Sequence, residues 1–222
     1  MGKRTVGTMV AATLAATLMS AAPASAADAS LNVVHGIPGV DVDVCVNGAE
    51  AISDFNPGEV VTGVVLPAGT YDVRIVGADD DCDDAAILQA DGLELASGKN
   101  VTAVAYLTDQ GSPTLGLFAN KVKPLARGTA RLQVRHTAAA PEVNVWANGA
   151  PLVTGFENGE TATARVPKGI YAAWVSLPGE FQPVIGPAVL KLRAGHAYQV
   201  YAWGNATAGF GFAVVDIDVG IR

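Results

Sequence analysis

The sequence predicts an all-β fold: two tandem antiparallel β-sandwich domains, immunoglobulin-like or transthyretin-like. Three observations carry this. The chain repeats itself about a hundred residues apart, its apolar residues alternate with period two, and no stretch keeps the spacing of an amphipathic helix. The 25 Gly and 12 Pro in 222 residues supply the turns that many short strands require. Charged residues make up 16%, below the usual ~25%, and half the chain is hydrophobic, which excludes a disordered acidic protein.

The repeat is read from matched segments. Leu31-Asn32-Val33-Val34-His35 matches Leu132-Gln133-Val134-Arg135-His136, and Val42 through Gly48 matches Val143 through Gly149. Phe55, Gly58 and Glu59 match Phe156, Gly159 and Glu160. One residue is then lost before Pro67-Ala68-Gly69-Thr70-Tyr71, which matches Pro167-Lys168-Gly169-Ile170-Tyr171. Gly98–Tyr106 matches Gly195–Trp203, with a small slip around Val104 and Val200. The expected organisation is a signal peptide at 1–26, one sandwich at 27–125 and a second at 126–222, with about seven strands each.

Within each copy the elements follow in order. Val40, Val42, Val44 and Val46 alternate with polar positions, as in a half-buried strand. Asn47-Gly48 and Asn148-Gly149 read as two-residue hairpin turns, because both central positions need positive φ. Pro67–Gly69 and Pro167–Gly169 turn the chain into strands at Thr70–Val76 and Ile170–Leu177. Strands at Leu93–Leu95, Asn100–Leu107 and Leu115–Ala119 complete the first copy. Ala188–Leu192, Ala197–Trp203 and Phe210–Ile217 complete the second.

Lys3 and Arg4, the apolar run Val6–Ala22 and the small residues Ala24-Ser25-Ala26 have the layout of a secretory signal peptide, with cleavage expected between Ala26 and Ala27. The expected product is secreted, has no membrane span after processing, and is at most loosely associated with the cell wall. Loss of Lys3 and Arg4 takes the net charge from −7 to −9, which argues against a nucleic-acid partner. The charge is uneven. Residues 27–125 hold 15 acidic and 4 basic side chains, and residues 126–222 hold 6 acidic and 8 basic.

The repeated pattern is a strand ending in His, a Pro loop, Val-Asp-Val-x-Val-x-Gly and a Pro-x-Gly-x-Tyr turn. It resembles the bacterial secreted family called domain of unknown function 4397. The first copy carries it as His35, Pro38, Val42-Asp43-Val44-Cys45-Val46-Asn47-Gly48 and Pro67–Tyr71. The second carries it as His136, Pro141, Val143–Gly149 and Pro167–Tyr171, departing at Asn144 where the first has Asp43. The resemblance covers nearly all of the chain after the signal peptide. It implies secretion and a sandwich fold, and no reaction.

Cys45 and Cys82 are the only cysteines, and a disulfide between them is expected in an exported protein. Closing a loop of that length stabilises by about 4 kcal/mol. The second copy has Trp146 in place of Cys45. His35 and His136 read as imidazoles bonded to the following loop rather than as metal ligands. The Asp79–Asp84 run reads as a solvated loop, with weak calcium binding as the alternative. Trp146 should face away from the valine side of its strand. Core or interface packing is the main expectation for the aromatics, and a carbohydrate platform the alternative. No catalytic, metal or cofactor residues are assigned, since no nucleophile elbow, phosphate loop or paired carboxylates stand out. The expected function is a secreted, non-enzymatic binding or structural module at the cell envelope or outside the cell. Its partners would be cell-wall polysaccharide or another envelope protein. Carbohydrate binding is the specific alternative, and a metal-binding protein or an enzyme is less favoured.

Overall fold

The computed structural model describes residues 27–222, so the expected signal peptide lies outside the described residues. The first half runs β1 (Ala29–His35), β2 (Val42–Val46), β3 (Ala49–Phe55), β4 (Val60–Leu66), β5 (Gly69–Gly77), β6 (Leu88–Leu95), β7 (Asn100–Leu107) and β8 (Pro113–Ala119). The second runs β9 (Thr129–Ala139), β10 (Val143–Ala147), β11 (Ala150–Phe156), β12 (Thr161–Pro167), β13 (Gly169–Ser176), β14 (Pro183–Leu192), β15 (His196–Asn205) and β16 (Gly209–Asp218).

Each half makes two four-stranded sheets with the same topology: β4-β1-β7-β8 with β3-β2-β5-β6, then β12-β9-β15-β16 with β11-β10-β13-β14. All neighbours are antiparallel except β1 with β7 and β9 with β15. Four four-stranded sheets in two pairs make the two β-sandwiches that the sequence predicts. Each half has eight strands, against an expectation of about seven. The sequence reading has no strand at β3 or β4, nor at their counterparts β11 and β12. It also sees only the ends of β6 and β14. β3 is an edge strand exposed at most positions, so it lacks an apolar alternation to read.

The residue lost between the copies is a β-bulge. The β1–β4 register shifts between Leu31 and Val33, leaving Thr62 and Gly63 opposite Asn32. Gly63 has φ +74°, and its N–H donates to Asn32 Oδ1 at 3.3 Å. β12 pairs with β9 residue for residue, without a bulge. The slip expected near Val104 is absent. His35 pairs with Ala105 and His136 with Ala202, so Val104 corresponds to Tyr201 and Tyr106 to Trp203.

The two sandwiches pack through their sheets β4-β1-β7-β8 and β12-β9-β15-β16, giving four layers. One core lies within the first sandwich around Val42, Val44, Phe55 and Ile75, and another within the second around Val134, Val145, Phe156 and Val200. A third, around Val34, Val104, Tyr106, Tyr201 and Val215, joins the halves. The first core retains an apolar cavity of about 200 Å³. In the second, the spaces left are about 10 and 20 Å³.

Candidate functional site

The repeated motif residues serve the backbone. His35 is 1% exposed, and its Nε2–H donates to the Val40 carbonyl at 2.9 Å; His136 does the same to Pro141 at 3.1 Å. Each ring also lies against a phenylalanine, Phe55 or Phe156. Burial lowers both imidazole pKa values, more than the loop hydrogen bonds and nearby carboxylates raise them. Asp43 Oδ1 accepts the N–H of Asp54, a residue with φ +52°. Asn144 Oδ1 accepts the N–H of Gly155 in the same way. One acceptor oxygen is enough for this role, which explains how Asn replaces Asp. Asn47 and Asn148 have φ 51° and 49°, followed by Gly48 and Gly149 at 79° and 81°, the geometry of a type I′ hairpin. Tyr71 and Tyr171 each donate their hydroxyl to the carbonyl of Pro67 or Pro167.

The outer faces of the two sandwiches differ. In the first, Cys45 is bonded to Cys82, with Cα atoms 5.8 Å apart, so the acidic loop is tied over the sheet. Arg74, the cross-strand neighbour of Cys45, donates to the Asp84 carbonyl at 2.6 Å and to Gln89 at 2.9 Å. Within the loop, Asp84 accepts the Asp81 N–H. Among the described residues, no three His, Cys, Asp or Glu side chains converge as a metal site.

In the second sandwich the matching positions are aromatic. Trp146 on β10 pairs across the ladder with Trp174 on β13. Their rings are parallel within 7°, with centroids 6.0 Å apart. Val143 and Val145 point the other way, into the core, so Trp146 stands on the outer face. Phe181 packs on Trp146 at 5.3 Å and is 75% exposed. Ile170 and Val189 are exposed as well, so a contiguous apolar face is presented to solvent. Trp146 Nε1 donates to Ser176 Oγ at 3.0 Å, which fixes the ring. The shorter loop between β13 and β14 covers less of this face than the disulfide-tied loop covers of the first: it lays Phe181 on Trp146 and leaves both tryptophans half-buried.

The seam between the sandwiches takes Tyr106, Phe118, Tyr201 and Trp203. Arg135 is fully buried there. It donates to Gln199 Oε1, Tyr201 Oη, the Ala119 carbonyl and Asn120 Oδ1, and its guanidinium lies over the rings of Phe118 and Tyr201. Burial lowers the Arg135 pKa and raises that of Tyr201. Arginine nonetheless stays protonated. Its charge is met by aromatic faces and neutral acceptors, with no carboxylate. Trp203 packs against Gly58 of the first sandwich, and Tyr106 lies at Gly159 of the second. Sequence reasoning did not single out Arg135, Gln133 or Gln199.

The model of the family described as domain of unknown function (DUF4397) matches residues 29–146. The chain belongs to this family. The DUF4397 match is single and ends within β10, so it finds one copy where two tandem copies were expected. The second sandwich repeats the fold but departs from the motif at Asn144 and replaces the cysteine with Trp146. No curated protein matches. Among solved structures, a candidate cell adhesion protein from Bacteroides eggerthii matches at 9% identity with a TM-score of 0.21. The alignment covers 89% of this chain and 98% of that one. At that TM-score the likeness carries no argument.

Proposed function

We propose that this DUF4397 protein is a secreted, non-enzymatic binding module that acts at the cell envelope or outside the cell and holds its partner on the aromatic face of β10 and β13. The observation that carries this is the outer-face group of half-buried Trp146 and Trp174 with exposed Phe181 packed on it. Large rings in water are a cost to solubility, and rings fixed on a rigid sheet lose little entropy on binding. The disulfide supports an oxidising compartment. Carbohydrate is the favoured ligand class, because sugar rings offer apolar C–H faces that fit flat aromatic surfaces.

The test is binding of the full chain to isolated cell envelope and to its purified polysaccharide. Phe181→Ala removes an exposed ring without opening the core and is expected to weaken binding about tenfold, or ~1.4 kcal/mol. Trp146→Ala should weaken it further. Unchanged binding by both variants would exclude this face as the contact.

A further inference from the structure

The seam between the sandwiches opens at one end into a groove of about 720 Å³. Five cationic residues line it: Lys99 from the turn before β7, Lys121 and Lys123 from the segment joining the sandwiches, Arg131 from β9 and Arg165 from β12. No Asp or Glu is among the described lining residues. The salt bridges among the described residues join Arg193 and His196 to Asp216, so none of the five has a carboxylate partner. This concentration is unexpected in so acidic a half. Residues 27–125 contain only four basic side chains, and Lys99, Lys121 and Lys123 are three of them.

Their placement is built by the fold. Arg131 is 5% exposed and donates to the carbonyls of both Lys121 and Lys123. Gln133 Oε1 accepts the Lys121 N–H at 2.8 Å, and Lys121 Nζ donates to Thr163 Oγ1 at 3.3 Å. The joining segment is therefore pinned to β9 with its lysines at the groove wall. Burial first, and then the charges of Arg165 and Arg222, lower the Arg131 pKa, as expected for like charges gathered without a counter-charge.

We propose that this groove binds an acidic carbohydrate polymer through carboxylate or phosphate groups repeated along its chain. Several cations around one concavity of ligand size match several anionic groups better than one small ion. Nucleic acid fits less well. The described lining has no aromatic ring on which a base could stack. The groove and the aromatic face share no residue, so each is tested alone.

The experiment is calorimetric titration of the full chain, at about 20 mM salt to limit screening, with an oligogalacturonate and an oligomeric glycerol phosphate. Binding of either polymer is expected, weakening as salt rises, and the one that binds tells carboxylate from phosphate recognition. Changing Lys99, Lys121 and Lys123 together to Gln should lower the affinity at least about tenfold. These lysines are exposed, so the melting temperature should hold, and Arg165→Gln alone should give a smaller loss in the same direction. A matched set of Arg74→Gln, Lys168→Gln and Lys191→Gln should leave the affinity unchanged. The proposal is overturned if neither polymer binds at low salt, if the lysine variant binds as tightly as the parent, or if the matched set loses as much.

Discussion

At the scale of single residues, His35 and His136 tie stability to pH. Their pKa values are depressed in the folded state, chiefly by burial. The unfolded chain therefore takes up protons first as the pH falls. The stabilisation is present above the unfolded value of about 6.5 and is lost as the pH drops through the folded values. The melting temperature is expected to fall between about pH 7 and about pH 5. The double variant His35→Gln, His136→Gln should show a shallower fall over that window, whatever its starting stability. Glu59, whose pKa is lowered by accepting the Asn56 N–H, adds its loss further down, in the carboxylate range. A flat melting temperature for the parent across the histidine window would contradict this account. The sequence placed these histidines at matching points of the repeat. It could not show that both rings are closed off from water, because that depends on loops folding back from Val40 and Pro141.

At the scale of the elements, the two cores differ by what fills them. Ala103 on β7 corresponds to Val200 on β15, since each pairs with the matching valine, Val33 or Val134. Leu115 on β8 corresponds to Phe212 on β16 through their partners Ala105 and Ala202. The smaller residues line the 200 Å³ cavity of the first sandwich, and Val200 and Phe212 line one of the small spaces of the second. Ala103→Val and Leu115→Phe, each borrowed from the same fold, are expected to raise stability by about 1–2 kcal/mol. Urea unfolding measures this, and a loss on both would mean that the sheets cannot accept the added volume. The strands that the sequence announced are those with a hairpin turn or clear alternation, such as β2, β5, β10 and β13. Those it hid lie at sheet edges: β3 with few buried side chains, and β4 interrupted by the Thr62–Gly63 bulge.

At the scale of the whole molecule, the seam decides how the halves behave. β9 alternates Arg131, Gln133, Arg135 and Thr137 with Leu132, Val134 and His136, which in sequence is the pattern of a strand with one face in water. Both faces are buried, because a second sandwich covers the polar one. That is why Arg135 looks like a surface residue and why the groove cations, drawn from separate segments, do not look like a cluster. Tight packing across the seam is testable at Gly58. A Cβ there would lie 2.5 Å from Trp203 Cζ2, and the residue sits at φ +85°. Gly58→Ala is expected to destabilise by about 2–3 kcal/mol, from overpacking and left-handed strain together. In a double-mutant cycle with Trp203→Ala, the overpacking part should vanish, giving a coupling of about 1 kcal/mol or more. Additive effects would mean that the two residues do not press on each other.

The placement of Trp203 at the Gly58 turn and of the corresponding Tyr106 at the Gly159 turn has the reciprocity of a homodimer. In a two-fold dimer, each subunit lends the same residue to the same spot on its neighbour. Here the two subunits are one polypeptide, and the covalent link replaces concentration as the force that keeps them together. Freed from the need to be identical, the two faces have divided the work. Val34 and Val104 keep one face apolar, while the matching Arg135 and Tyr201 make the other polar and bulky. Identical pairing of the second face would bring two unpaired guanidinium groups into one dry seam, so the present partners fit each other better than either fits itself.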